Sequence, residues 1–129
     1  MIRMLLRSSL FVLLGVGEAL AQAAEASAIA RAAATELGEG RSAALHARLT
    51  DDLKVALSED LLRDPLIKDL VAGAGLFEKI DAAPVCRASQ GPQMCVVPML
   101  YAKARIRVRF AIDAAGRVAG IYVEGREAR

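Results

Sequence analysis

The sequence is poor in the side chains that metal binding and hydrolytic catalysis most often use. It has one histidine and two cysteines among 129 residues. A zinc site needs about four ligands, and His46 is distant along the chain from both cysteines. No G-x-S-x-G motif occurs, and His46 is the only imidazole that could act as a base. We therefore predict no metal site, no cofactor and no catalytic set, and we expect His46 to lie at a surface or rim.

The sequence also lacks an excess of charge of one sign. Seventeen Lys and Arg residues face fifteen Asp and Glu residues, so the net charge is +2. A general nucleic-acid-binding domain would be strongly basic. The balance therefore predicts no nucleic-acid partner, although it leaves room for a local basic stripe.

No hydrophobic run at the start of the chain is long enough to cross a bilayer, which takes about 20 apolar residues. The apolar run from Leu10 to Val16 is short. Arg3 and Arg7 precede it, and Ala19-Leu20-Ala21 follows it. A basic start, a short apolar middle and an A-x-A end are the three parts of a secretory signal. The alternative is a buried N-terminal helix.

We therefore expect residues 1–21 to be a cleaved signal peptide and residues 22–129 to form a single domain with no transmembrane span. Ala21-Gln22-Ala23 is an equally acceptable cleavage site. The expected location of the mature protein is the periplasm or the exterior of the cell.

The two cysteines, Cys86 and Cys95, lie in the stretch PVCRASQGPQMCVV. They could form a metal clip, a redox pair or a structural disulfide. A redox motif would read C-x-x-C, whereas eight residues separate these two. Export favours a disulfide. In a hairpin that sets Cys86 opposite Cys95, Arg87 faces Met94 and Gln90-Gly91 forms the turn.

The first half of the domain has helical patterns. Residues 23–37 are rich in alanine, the strongest helix former, and two glycines follow them. Residues 41–57 carry a leucine at every fourth position, and Thr50 before two aspartates predicts that this segment is two helices meeting at Thr50. Further helix starts are expected at Ser58 and at Asp64-Pro65. Gly73 and Gly75 should end the last helix.

The second half alternates with a period of two, which is typical of strands. We predict strands in 76–88, 93–102, 105–112 and 117–125, an Asp113–Gly116 type I turn and a polar tail after residue 125. In the third strand the buried face is expected to carry Ile106, Val108, Phe110 and Ile112. The order predicts an α+β domain with N-terminal helices packed on one face of a curved antiparallel sheet.

The opposite face of that third strand and its start carry a basic ladder, defined here as Lys103, Arg105, Arg107 and Arg109. Two interpretations are open. The ladder could bind an anion or a partner, or it could be the solvated face of a half-buried sheet, whose charges discourage edge pairing. Aromatic residues do not alternate with these charges, so stacking of nucleic-acid bases is not expected.

Three segments carry a resemblance to a known family: 47–62, 69–80 and 101–123, with Gly116, Gly120 and Ile121 at the pattern's glycine and hydrophobic positions. Over about residues 26–124 the chain resembles the nuclear transport factor two-like superfamily. It is most like an uncharacterised bacterial envelope family that is sometimes fused to hydrolases. The resemblance implies a cone-shaped, cystatin-like roll with a pocket between helices and sheet. The chain has no tryptophan, which such domains commonly carry, so a smaller or different cavity is implied.

The resemblance and the missing catalytic set together suggest a non-enzymatic function. We expect an exported domain that binds a small apolar ligand or a protein partner in the cell envelope, with a second copy packing on the sheet. The alternative is a pocket enzyme of the isomerase or dehydratase kind. In that case Asp69 or Asp81 would act as the base and Tyr101 or Tyr122 would hold the oxyanion.

Overall fold

A computed structural model describes residues 21–129. The predicted signal peptide therefore lies, except for Ala21, outside the described residues. Helices occupy the first half of the described chain and a five-stranded antiparallel sheet the second, which confirms the predicted α+β class. No helix within 21–129 has the length and hydrophobicity that a membrane crossing requires.

The first helix, α1 (residues 21–38), contributes a face of small side chains to the core. Its buried residues are Ala26, Ala30, Ala33, Ala34 and Leu37. Alanines at these positions let α1 lie close to the sheet, because only a methyl group separates the two backbones. A Cβ atom at Gly38 would lie 2.5 Å from the ring of Phe77, so the helix end and the first strand meet with no room for a side chain.

Two short helices follow and meet at Thr50, as the sequence predicts. They are α2 (Ser42–Arg48) and α3 (Asp51–Ala56). The Thr50 hydroxyl accepts a hydrogen bond from the Leu53 amide (3.2 Å), which satisfies one of the free N–H groups at the start of α3. Leu45 and Leu49 are fully buried, whereas Leu53 and Leu57 pack at the edge of the core.

The remaining helical segment bends at Asp64. It comprises α4 (Glu59–Leu61), a wider turn at Leu62–Ile67 and α5 (Lys68–Ala74). Ser58 caps α4 as expected, and the non-helical backbone of Asp64 separates the two parts. Gly75, with φ of 84°, ends α5. Gly73 does not end it, because its missing side chain instead leaves room for the guanidinium of Arg126.

The sheet is built on two long central strands, β3 (Gln93–Tyr101) and β4 (Ala104–Ile112), with β5 (Val118–Ala128) at one edge. The predicted strand at 76–88 is divided into β1 (Phe77–Ile80) and β2 (Val85–Arg87), which both pair with β3. The prediction of one continuous strand was wrong because two extra residues bulge out opposite β3. Ile80 pairs with Met99 and Val85 with Val96.

The last strand is longer than the sequence pattern predicts. The expected polar tail after residue 125 continues β5 to Ala128, and Glu127 lies opposite Arg105. Arg129 Nη1 pairs with Glu78 of β1 (2.8 Å), and Arg126 donates to the Gly73 carbonyl, so contacts with other segments hold this extension although it buries little apolar surface. The turn before β5 is as expected: the Gly116 amide donates to the Asp113 carbonyl (3.0 Å), and Gly116 has φ of 82°.

The core lies between the helices and one face of the sheet. The four predicted core residues of β4 are buried, together with Cys95, Val97, Met99 and Tyr101 of β3. Cys86 and Cys95 lie directly opposite each other with their sulfur atoms at disulfide-bonding distance, and Arg87 faces Met94 as predicted. The disulfide bond therefore attaches the three-residue strand β2 to the central strand β3.

Candidate functional site: an apolar groove between the helices and the edge strand

An open apolar groove lies between the helical layer and β5. It has a volume of about 490 Å³. Six aliphatic side chains, one proline and one carboxylate line it: Leu57, Leu61, Pro65, Leu66, Asp69, Leu70, Ile121 and Val123. We call this set the apolar groove. It lies between the helices and the sheet, where the family resemblance implies a pocket.

The helices are attached to β5 on either side of this groove. On one side the Thr50 amide donates to the Val118 carbonyl (2.9 Å), and Arg117 Nη1 donates to the Leu49 carbonyl (3.2 Å). On the other side Arg126 donates to the carbonyl of Gly73. The two attachments are eight residues apart on β5, or roughly 25 Å at about 3.3 Å per residue. Ile121 and Val123 lie between them, where the helices stand off from the strand.

The groove leaves large apolar side chains in contact with water. Leu61 is 44% exposed and Val123 is 47% exposed, while Leu57, Leu66, Leu70 and Ile121 are half-buried. Removing such an apolar surface from water lowers the free energy by about 25 cal/mol per Å². An apolar occupant would therefore gain free energy there, and among residues 21–129 Asp69 is the only charged side chain that lines the groove.

The acids and tyrosines considered for an isomerase lie in different places. Asp69 lines the apolar groove, but neither tyrosine does. Asp81 is paired with Arg105 (2.8 Å), and Tyr122 lies under the guanidinium of Arg109 at 4.9 Å from its ring centre.

Tyr101 is a core residue. It is 1% exposed, it packs edge-on against Phe77, and its hydroxyl has no hydrogen-bond partner among the described residues. Burial raises the pKa of Tyr101 to about 12. The hydroxyl is therefore neutral at physiological pH.

The remaining candidate for catalysis, His46, lies half-buried in the last turn of α2. Its ring makes no hydrogen bond to another described residue that would orient it as a base. Within residues 21–129, no three His, Cys, Asp or Glu side chains come together as metal ligands.

The basic ladder is shorter than predicted. Lys103 lies in the connection between β3 and β4, and Arg105, Arg107 and Arg109 project together from the face of β4 opposite the helices. Arg105 pairs with Asp81 (2.8 Å) and Arg109 with Glu124 (3.1 Å). The ladder is therefore partly neutralised by carboxylates from other elements.

One buried ion pair was missed by the sequence reasoning. Glu36 of α1, only 6% exposed, is paired with Arg48 of α2. In the sequence of an alanine-rich helix, nothing around Glu36 distinguishes a buried glutamate from a solvated one. Only the packing of α2 against α1 shows it.

The apolar groove itself could be found only in part from sequence. Leu57 belongs to the leucine series of 41–57, Leu66 and Leu70 lie one helical turn apart, and Ile121 and Val123 alternate in a predicted strand. Leu57, Leu66, Leu70 and Ile121 pack at the edge of the core, whereas Val123 is 47% exposed. The sequence pattern does not contain the distance between the helices and β5 at the groove. That distance leaves the side chains of the groove uncovered.

The fold and the groove together define an α+β domain with an open apolar site between its layers. Comparison of the chain with family models, curated proteins and solved structures gives no match. The resemblance to the nuclear transport factor two-like superfamily therefore stays a prediction.

Proposed function

We propose that this protein is an exported, non-enzymatic binding domain whose apolar groove holds a small apolar ligand in the cell envelope. The observation that carries the proposal is the groove itself: about 490 Å³ of space lined by aliphatic side chains between two fixed attachments. Ligand sites of small molecules commonly have volumes of about 300–1,000 Å³ and apolar linings.

The expected affinity is modest. Burying about 200 Å² of ligand surface contributes about 5 kcal/mol at 25 cal/mol per Å². That corresponds to a dissociation constant of about 0.1–0.2 mM if other terms cancel. A single carboxylate at the groove, Asp69, offers little to orient a polar ligand. We therefore expect selection by size and apolar character.

Two features support export. The first is the arrangement of the N-terminal sequence described above, with cleavage expected after Ala21 or Ala23. The second is the cysteine pair at disulfide-bonding distance, because disulfides persist in oxidising compartments. The mass of the chain recovered from outside the cytoplasm tests this, and an uncleaved mass would contradict it.

The binding proposal is tested with Nile red, an uncharged dye that fluoresces in apolar sites. We expect the wild-type protein to enhance its emission, and Leu61→Glu and Val123→Glu to weaken binding about tenfold by placing a charge in the groove. Both side chains are nearly half exposed, so the variants should fold. Val55→Glu is the matched control, because Val55 is 87% exposed and lies outside the groove lining. Equal loss in the control would contradict the assignment.

A protein partner is the second candidate occupant, since β5 is an edge strand directly beside the groove. An extended segment, from another protein or a second copy of this chain, could pair with β5 and cover Val123. Sedimentation of the purified protein across a concentration series tests the self-pairing form. A monomer at all concentrations would rule that form out.

A further inference from the structure

A second recess lies on the opposite face of the sheet, away from the helices and the apolar groove. It has a volume of about 450 Å³. Its floor is apolar, and charged side chains surround it. The lining residues are Ala82, Ala83, Val85, Arg87, Met94, Val96, Pro98, Arg107, Arg109 and Glu124. We call this set the arginine basin.

The strand register places the side chains of the basin in rows across the sheet. Met94, Val96 and Pro98 of β3 are half-buried and form the floor. Arg87 lies opposite Met94 at one side, and Arg107 lies opposite Pro98 at the other. Two guanidinium groups from different strands therefore flank one apolar strip.

The bulge between β1 and β2 completes the recess. Ala82 and Ala83, two of the four residues between these strands, form part of the wall, and Val85 is 59% exposed beside them. The irregularity that broke the predicted strand thus turns a flat sheet face into a concave one.

The arginines of this face differ in their charge balance. Arg105 and Arg109 have carboxylate partners, at 2.8 Å and 3.1 Å. Among the described residues, no carboxylate lies within ion-pair distance of Arg87 or Arg107. Two positive charges are therefore left beside the apolar floor.

The position of Arg107 depends on a glycine. Its guanidinium lies next to Gly125 of β5, where a Cβ atom would come 2.5 Å from Arg107 Nη2. The absence of a side chain at Gly125 thus gives the guanidinium its place across the sheet face.

We propose that the arginine basin binds a monomeric anionic amphiphile, a carboxylate carried on an alkyl chain. Guanidinium groups bind carboxylates with two parallel hydrogen bonds, and the strip of Met94, Val96 and Pro98 would cover the chain. The recess is concave, which suits a single small molecule and does not suit the flat surface of a bilayer. This site is separate from the apolar groove and does not depend on its function.

The test is a titration of ¹⁵N-labelled protein with decanoate and, separately, with uncharged decan-1-ol. We expect decanoate to shift the amide signals of Val85, Val96 and Arg107. We expect Arg87→Gln combined with Arg107→Gln to weaken decanoate binding about tenfold, as the loss of charged hydrogen bonds implies. Decan-1-ol should leave these amides unshifted at the same concentration.

Arg105→Gln is the matched control for the single variant Arg107→Gln, because each removes one positive charge from the same face of β4, but Arg105 is already paired with Asp81. Its effect on decanoate binding should be less than about twofold. An equal loss in both variants would mean that only the overall charge matters and would overturn the proposal. Decanoate shifts confined to the amides of Leu61 and Val123 would also overturn it, without touching the apolar groove assignment. Binding to anionic phospholipid vesicles but not to decanoate would contradict the monomeric ligand.

Discussion

The disulfide bond between Cys86 and Cys95 should contribute strongly to the free energy of unfolding. The two residues are nine apart in sequence. The chain-entropy relation gives about 2.7 kcal/mol for closing so small a ring in the unfolded state. With an unfolding slope of about 1.5 kcal/mol per molar urea, the midpoint should fall by about 1.8 M when the bond is reduced. The disulfide bond also attaches β2, which has only three residues, to β3.

Urea unfolding followed by circular dichroism, with and without reductant, measures this change. The double variant Cys86→Ala, Cys95→Ala is the control, and its midpoint should not respond to reductant. Hydrogen exchange should show the largest loss of protection in β2, because β2 pairs only with β3. An unchanged midpoint on reduction would mean that the disulfide does not stabilise the fold. Two free thiols in unreduced, denatured protein would mean that the disulfide does not form.

Two further predictions concern single residues packed near α1 and β1. Gly38→Ala should destabilise the fold by about 1–3 kcal/mol in urea unfolding, because its Cβ would overlap the ring of Phe77; a change below 0.5 kcal/mol, roughly the scatter of surface substitutions, would contradict this. Tyr101 has a pKa of about 12 in the folded state and about 10 in the unfolded chain. Because the unfolded chain loses this proton first, the free energy of unfolding should be constant below pH 10 and should fall by up to about 2.7 kcal/mol as the pH rises through 12. Tyr101→Phe should remove that fall without loss of stability at pH 7, since no residue in the described part of the chain forms a hydrogen bond with the Tyr101 hydroxyl. The same fall in the variant would contradict the assignment.

Local sequence signals predicted most of the element types and the core strand. Thr50 and Ser58 cap helices because a side-chain oxygen within reach of a free amide is a local property. Alternation in β4 predicted its buried face because the period of a strand is independent of its partners. The register that sets Cys86 opposite Cys95 was predicted correctly, although the strand pairing ends at Arg87 and Met94 and does not continue to the predicted Gln90-Gly91 turn.

Properties that arise between distant segments could not be predicted in this way. The division of β1 from β2 depends on how each pairs with β3, and the extension of β5 depends on the contacts of Arg126 and Arg129 with Gly73 and Glu78. The apolar groove depends on the spacing between α4, α5 and β5. Each of these is set by three-dimensional packing that no single stretch of sequence contains.

If the apolar groove is the binding site, an uncharged apolar ligand must lie between the helices and β5. Intermolecular nuclear Overhauser effects between decan-1-ol and methyl-labelled protein would locate such a ligand. We expect contacts to the methyl groups of Leu61, Leu70 and Val123. Contacts confined to Val55 or Val85, which are exposed outside the groove, would contradict it.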